Sequence, residues 1–308
     1  MTRIWFAAGL RGEIARRIQL EALRQGFFDG DAAKFVDGDF GERTTIALTK
    51  LQTARGLQTA TGQVDEATWQ QLTHEPLPTL FERCLGITAE FEGHGFGLLQ
   101  GDFDGAGLTW GVIGFTLSNG EIQQLLAEAE AAAPGTLARV MGPLASTWHA
   151  KMQLARNAQL AWAHSISSGP DSAKVPLEWK DAFARLGDEP VVKRLQMHRA
   201  YDAYFVPAAA TAKTLRLVSE LGVALAFDCH VQNGDSRVQA VAELAPLAGT
   251  LAEAQMRRRL ANRVADLSAP RWREDVRGRK LTIATAGAVF RGRNYQLANW
   301  GLGEFTAA

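Results

Sequence analysis

The sequence predicts a mainly helical protein in two parts: a small unit of three helices, then a larger helical domain carrying one small strand-and-loop insert. Three observations lead there. Apolar residues recur at helical spacing over most of the 308 residues. The run His74-Glu75-Pro76-Leu77-Pro78 interrupts that pattern, since two prolines in three residues favour a short, stiff, extended connection. Seven glycines crowd the stretch from Phe96 to Gly120, where the period changes to that of turns and short strands.

Taken in order, Ile14, Ile18, Leu20, Leu23 and Phe27 mark a first helix with charges between them and Gly26 at its end. A second fits Glu42 to Ala54, with Ile46, Leu48 and Leu51 as its stripe and Gly56 as its stop. A third fits Asp65 to Leu72, with Asp65 as N-cap and Trp69 facing inward. The expected domains are therefore 1–75 and 80–308, joined by a linker at 76–79. In the second domain, helical patterns cover Thr79–Glu92, Glu121–Ala133, Pro143–Ser165, Pro176–Leu186, Pro190–Leu221, Val223–Val231, Val238–Leu247 and Leu251–Asp266. Leu108 to Thr116 reads as strand.

Composition narrows the function. Thirty-three basic side chains balance thirty-three acidic ones, which argues against a dedicated nucleic-acid binder, because phosphate neutralisation needs a basic excess. At 46% hydrophobic and 21% charged, the composition is that of a folded globular chain. No apolar run approaches the roughly 20 residues of a membrane span, and the N-terminal MTRIWFAAGLRGEIARR is too short in apolar residues for a secretory signal. Two cysteines, Cys84 and Cys229, build no disulfide framework, although one bridge between them stays open. The expected chain is a monomer.

The run Asp37-Gly38-Asp39-Phe40-Gly41-Glu42-Arg43-Thr44-Thr45, with Leu51-Gln52, Gly56-Leu57, Gly62, Val64-Asp65, Thr68-Trp69 and Leu72, resembles the small peptidoglycan-binding domain of cell-wall hydrolases. The pattern is mostly structural: Gly38 and Gly41 permit tight turns, Thr44 or Thr45 can cap a helix, and Trp69 can fill a small core. The resemblance implies bacterial peptidoglycan as partner.

Farther along, Ile87 to Phe96 ends a helix on Glu90 and Glu92, and Asp104 follows twelve residues after Glu92 in a glycine-rich stretch. Glycoside hydrolysis needs such a pair, one carboxyl protonated to give a proton to the leaving oxygen and one ionised to activate water or stabilise the sugar cation. The run Asp104-Gly105-Ala106-Gly107-Leu108-Thr109-Trp110-Gly111-Val112-Ile113-Gly114-Phe115-Thr116 resembles the aspartate-bearing loop and strand of the family 46 chitosanases, which have a lysozyme-like fold. By that resemblance Glu92 is the general acid, Asp104 the base, and Thr109 positions the attacking water. The gap between acid and base is shorter than in those chitosanases. If the likeness extends to geometry, the carboxylates stand about 6.5–9.5 Å apart and the reaction inverts. Phe227 to Gly234 resembles a helix-end motif of the same folds, with Asp228 structural.

Glu90 rivals Glu92 as acid, but two residues on a helix turn through roughly 200°, so both cannot enter one cleft. Asp102, two residues before Asp104, would share its side if the segment were a strand, and is expected to contact substrate. His94 is a further candidate substrate contact, and Trp110 is the tryptophan best placed to stack on a sugar, with Trp148, Trp162 and Trp179 more at home in a core. His149, His164, His198 and His230 lack zinc-ligand spacing, and neither metal nor organic cofactor is expected. Residues 250–280 hold nine Lys and Arg against four acids, including Arg257-Arg258-Arg259; the choice is between attraction to an anionic envelope surface through 257–280 and a solvated helix face, the latter favoured. Together the two resemblances imply a modular peptidoglycan hydrolase of the muramidase type, with a chitosanase-like hydrolase or a non-catalytic wall-binding protein as the alternatives. The setting they imply is a bacteriophage endolysin, held in the host cytoplasm until release to the wall.

Overall fold

The computed structural model describes residues 2–57, 60–93 and 95–307. It divides into two compact units, residues 92–202 and the rest of the chain, 1–91 with 203–308. In chain order the first helices are α1 (Glu13–Arg24), α2 (Ala32–Phe35), α3 (Glu42–Ala54), α4 (Glu66–Thr73) and α5 (Leu80–Glu92). The predicted spans for α3, α4 and α5 lie within a residue of these, while the first predicted helix reaches Phe27, three residues past the end of α1. Asp65 caps α4 by accepting from the Thr68 amide at 2.8 Å. Thr79 and Glu82 form a reciprocal cap on α5, amide to carboxylate at 2.7 Å and amide to hydroxyl at 3.3 Å.

The first small core gathers Phe6, Ile18, Leu48, Leu51, Trp69 and Leu72, all fully buried. Two glutamines lock its loops. The Gln19 amide donates to Asp37 and Thr44 and accepts from Gly38, and Gln52 donates to the Gln63 carbonyl and Thr68 and accepts from Gly62. Neither threonine caps α3: Gly41 is its N-cap residue, Thr44 is buried against Gln19, and Thr45 donates to the Gly41 carbonyl. Trp69 Nε1 donates to the carbonyls of Glu75 and Pro76, both at 3.0 Å, so the expected linker begins as a pinned segment.

Residues 92–202 open with a three-stranded antiparallel sheet, β1 (Leu99–Gln100), β2 (Thr109–Trp110) and β3 (Phe115–Thr116), in that order. Then follow α6 (Glu121–Ala132), α7 (Thr136–Met141), α8 (Leu144–Met152), α9 (Arg156–Ile166), α10 (Leu177–Asp188) and α11 (Pro190–Ala200). The single helix expected over 143–165 is two, α8 and α9. Gln159 takes the Met152 and Leu154 carbonyls at 3.0 and 2.9 Å, satisfying groups that a continuous helix would have used. The core here is aromatic: Phe183 meets Trp110 edge-on at 5.1 Å and Trp148 at 5.6 Å, and Trp162 lies between Trp148 and Trp179.

The helix expected over 190–221 does not run through. Tyr201–Phe205 is a π-turn, followed by α12 (Val206–Thr214). Pro207 has no amide to donate and crowds the carbonyl four residues back, which is the usual cause of such an offset. Then come α13 (Glu220–Gln232), α14 (Gly234–Leu244) and α15 (Glu253–Leu267). Beyond the last predicted helix the chain forms α16 (Arg273–Ala284) and a hairpin of β4 (Gly287–Phe290) and β5 (Arg293–Gln296). Glu220 ties the two ends of its unit together, accepting from Arg83 at 2.9 Å, from Arg3 at 2.6 Å and from the Gly303 amide.

Cys84 and Cys229 are separate buried thiols, and burial pushes the Cys229 thiol up to about 11. Among the described residues no helix is long and apolar enough to cross a membrane.

Candidate active site

Glu92 is the last residue of α5, half-buried, and the chain turns away through Gly93 at φ 68°, a conformation that favours glycine. His94, the expected substrate contact beside it, lies outside the described residues. The chain then enters β1. Phe96 is buried, and its carbonyl accepts from the fully buried Gln196 amide at 3.0 Å; the Gln196 oxygen in turn accepts from Val112 at 3.0 Å. One side chain on α11 thus joins the segment after Glu92 to the turn after β2. Gly111 sits at φ 88° where a Cβ would fall 2.4 Å from the Gln196 oxygen.

Between β1 and β2 runs the 101–108 loop. Asp104 is exposed, and its Oδ1 accepts from the Ala106 amide at 3.0 Å, which fixes the carboxylate on the turn and leaves Oδ2 for solvent or ligand. Thr109 follows at the start of β2, paired with Gln100 and Thr116. It is 6% exposed, and its hydroxyl has no hydrogen-bond partner among the described residues. A buried hydroxyl left unpaired costs about 1–3 kcal/mol.

Two expectations change. Asp102, expected to contact substrate, has partners within the chain. Residues 101–108 are bent rather than extended, so strand alternation does not apply, and the Asp102 oxygens are taken by the Gly107 amide at 2.8 Å and His164 Nδ1 at 3.0 Å. Trp110 is fully buried on Phe183, and a ring with no exposed face cannot stack on a sugar. The pairing of His164 with an aspartate 62 residues away appears only in three dimensions.

Glu90 is set apart from Glu92. Its Oε1 lies 3.0 Å from Arg293 Nη1 and 3.6 Å from Arg11 Nη1, and Tyr295 donates to it at 3.4 Å. Burial and then the Glu90 charge push the Tyr295 phenol up.

Behind α5, Asp228 on α13 is fully buried between Arg279 and Lys280 of α16, and accepts from Thr88 at 3.0 Å. Burial alone would raise its pKa, but the two cations outweigh burial and hold it down at about 2. Asp228 therefore stays ionised at any working pH and organises the helices behind α5. The basic run 257–280 is largely spent in the same way. Arg257 pairs with Glu304, Arg263 with Glu243 and Arg277 with Asp266, in addition to Arg279 and Lys280 on Asp228.

A mainly helical fold with a short antiparallel sheet, a glutamate ending the helix before it and an aspartate on its first loop is that of a glycoside hydrolase with a lysozyme-like fold. Residues 93–265 match glycosyl hydrolase family 46, and the chain belongs to that family. Asp104 and Thr109 lie inside the match, and Glu92 immediately precedes it. Residues 17–72 match a putative peptidoglycan binding domain. No curated protein matches the chain. Among solved structures, a family 46 chitosanase from Gynuella sunshinyii in complex with chitotetraose superposes with a TM-score of 0.51 at 16% identity, covering 71% of this chain and 98% of that one. A second chitosanase complex gives 0.48 at 18% identity, over 69% and 94%.

Proposed function

We propose that the protein is a peptidoglycan hydrolase of the muramidase type, cutting the β-1,4 glycosidic bond of the wall glycan. The observation that carries this reading is the order of the two matches, a peptidoglycan-binding span directly ahead of a family 46 hydrolase span in one chain. The binding domain holds the enzyme on an insoluble polymer and raises the local concentration of glycan. Glu92 gives its proton to the glycosidic oxygen as the bond breaks. Asp104, ionised, takes a proton from a water that the Thr109 hydroxyl helps to hold, and that water attacks the anomeric carbon from the opposite face, with inversion. The orphaned Thr109 hydroxyl supports that water site. The setting proposed is a phage endolysin acting from the host cytoplasm on the wall, as a monomer and without a cofactor.

The second reading is a chitosanase, favoured by the chitotetraose-bound neighbour. Chitosan is a polycation and calls for unspent carboxylates along its path. Here Glu121 caps Thr116, Glu128 pairs with Arg199, Glu189 with Arg139 and Asp102 with His164, so many acids of residues 92–202 are committed internally. Mass spectrometry of the products released from purified peptidoglycan by the wild type and by Asp104→Asn decides the matter. Reducing N-acetylmuramic acid ends, lost in the variant, support the muramidase. Products from chitosan alone overturn it in favour of the second reading.

A further inference from the structure

We propose that the 101–107 loop carries a sugar subsite, built from Phe103 and His164, that takes an N-acetylated hexosamine ring beside the bond to be cut. The inference rests on the reading of Asp104 as the base. Phe103 stands between Asp102 and Asp104 and is 46% exposed. A single exposed apolar side chain is ordinary on a protein surface; its surroundings distinguish this one. The loop is tightly held without any help from the phenyl ring. The Gly101 amide donates to the Ala173 carbonyl at 2.9 Å, the Asp102 amide to Ser167 Oγ at 2.9 Å and the Phe103 amide to the Gly101 carbonyl at 3.0 Å. Gly107 and Ala106 close the other end on the two aspartates. The ring is thus displayed from a fixed backbone, which is how an aromatic platform is preorganised for a ligand.

His164, in the last turn of α9, is tethered to the same loop. A carboxylate accepts, so Nδ1 carries the proton it shares with Asp102, and Nε2 is left for a ligand. The Asp102 side chain is 13% exposed while that of His164 is 69% exposed, so the acid serves as the buried orienting group and the imidazole as the presented one. A hexosamine ring offers a C–H face for the phenyl and an edge of polar groups for the imidazole. Asp102 already accepts from His164 and from the Gly107 amide, so it is less open to a glucosaminium nitrogen. An acetamido group finds an apolar ring for its methyl and a ring nitrogen for its polar atoms.

The test uses the full-length chain and two probes, the tetramers of N-acetylglucosamine and of glucosamine. Kinetics are measured on the tetramer that is cleaved, and both are titrated calorimetrically into the Glu92→Gln chain. Phe103→Ala is expected to raise KM about ten-fold with kcat within about two-fold, and to weaken binding of the acetylated tetramer about ten-fold and of the other, which lacks the methyl contact, by less. Phe103→Trp is expected to restore both, and His164→Gln to weaken the acetylated tetramer alone. Melting temperatures stay at the wild-type value. Unchanged affinity in Phe103→Ala overturns the subsite, and so does a loss of kcat accompanied by a lower melting temperature. An equal loss for both tetramers overturns the N-acetyl preference. Selective loss of affinity in a chain whose wild type releases nothing from peptidoglycan upholds the subsite and removes the muramidase reading instead.

Discussion

Asp228 accepts from Arg279 through Nε at 3.0 Å and Nη2 at 2.6 Å, with neither side chain reaching solvent. Lys280 completes the cluster on Oδ2, which Arg279 Nε also reaches, and on Gln232. Breaking a buried ion pair from one side strands the other charge, which costs about 3–5 kcal/mol. Asp228→Asn is expected to lower the melting temperature by about 10 °C for a chain of this size. Equal melting by calorimetry would remove Asp228 from its structural role.

Stability should fall with pH in two separate windows. His230 is brought down to about 4, by burial first and then by Arg237, so the fold favours its neutral form. Its contribution is complete above about 6.5, the unfolded value, and is lost as pH falls toward 4. Asp228 is held at about 2 against about 3.9 unfolded, so its contribution persists above 3.9 and is lost as pH falls through 2. Melting temperature followed from pH 7 to pH 2 checks both. His230→Gln should flatten the upper window and leave the lower one.

Glu90 and Glu92 should separate cleanly. Glu92→Gln is expected to lower kcat by about 10²–10⁴-fold, the scale of a lost general acid, with the melting temperature nearly unchanged. Glu90→Gln unpairs Arg293 and Arg11, so it should cost stability and keep cleavage. The reverse pattern in a paired assay of lysis and melting would hand the acid's role to Glu90.

Most of this fold was legible because its helices bury apolar stripes, as α1, α3 and α5 do. The reading stopped before α16 because that helix buries Arg279 and Lys280, and a hydrophobic period does not register charges neutralised by a residue on α13. The helix expected over 190–221 runs through Pro207, and only the tertiary setting shows the π-turn that precedes it. The candidate residues Asp104 and Thr109 stand in one contiguous motif, so the sequence alone could propose them. The pairings of Asp102 with His164 and of Glu90 with Arg293 join residues 62 and 203 positions apart, and spacing carries no trace of them.

Thr109→Val tests the orphaned hydroxyl. Valine keeps the branched shape on β2 and removes the unpaired donor. The fold should be unchanged or stabilised by up to about 1 kcal/mol. Cleavage should fall roughly ten- to a hundred-fold as the attacking water loses its holder. Retained activity with raised stability would make Thr109 a packing residue and leave the water to Asp104 alone.

Gly187 on α10 faces Gly97 so closely that a Cβ would lie 2.4 Å from the Gly97 Cα and nitrogen, and a Cβ on Gly97 would lie 2.7 Å from the Ala184 Cα. Both obstacles are backbone, so neither can swing aside. Gly187→Ala must therefore push away the segment between Glu92 and β1, at about 1–3 kcal/mol for the overpacking. The same shift moves the helix end that carries Glu92, and a displacement near 1 Å costs about 10²-fold in rate. Gly95→Ala lies in the same segment with nothing within 4 Å of its Cβ and should change neither quantity. Melting and kcat measured on both variants check the relation; if Gly187→Ala loses stability but keeps its rate, α10 supports the fold without holding the acid in place.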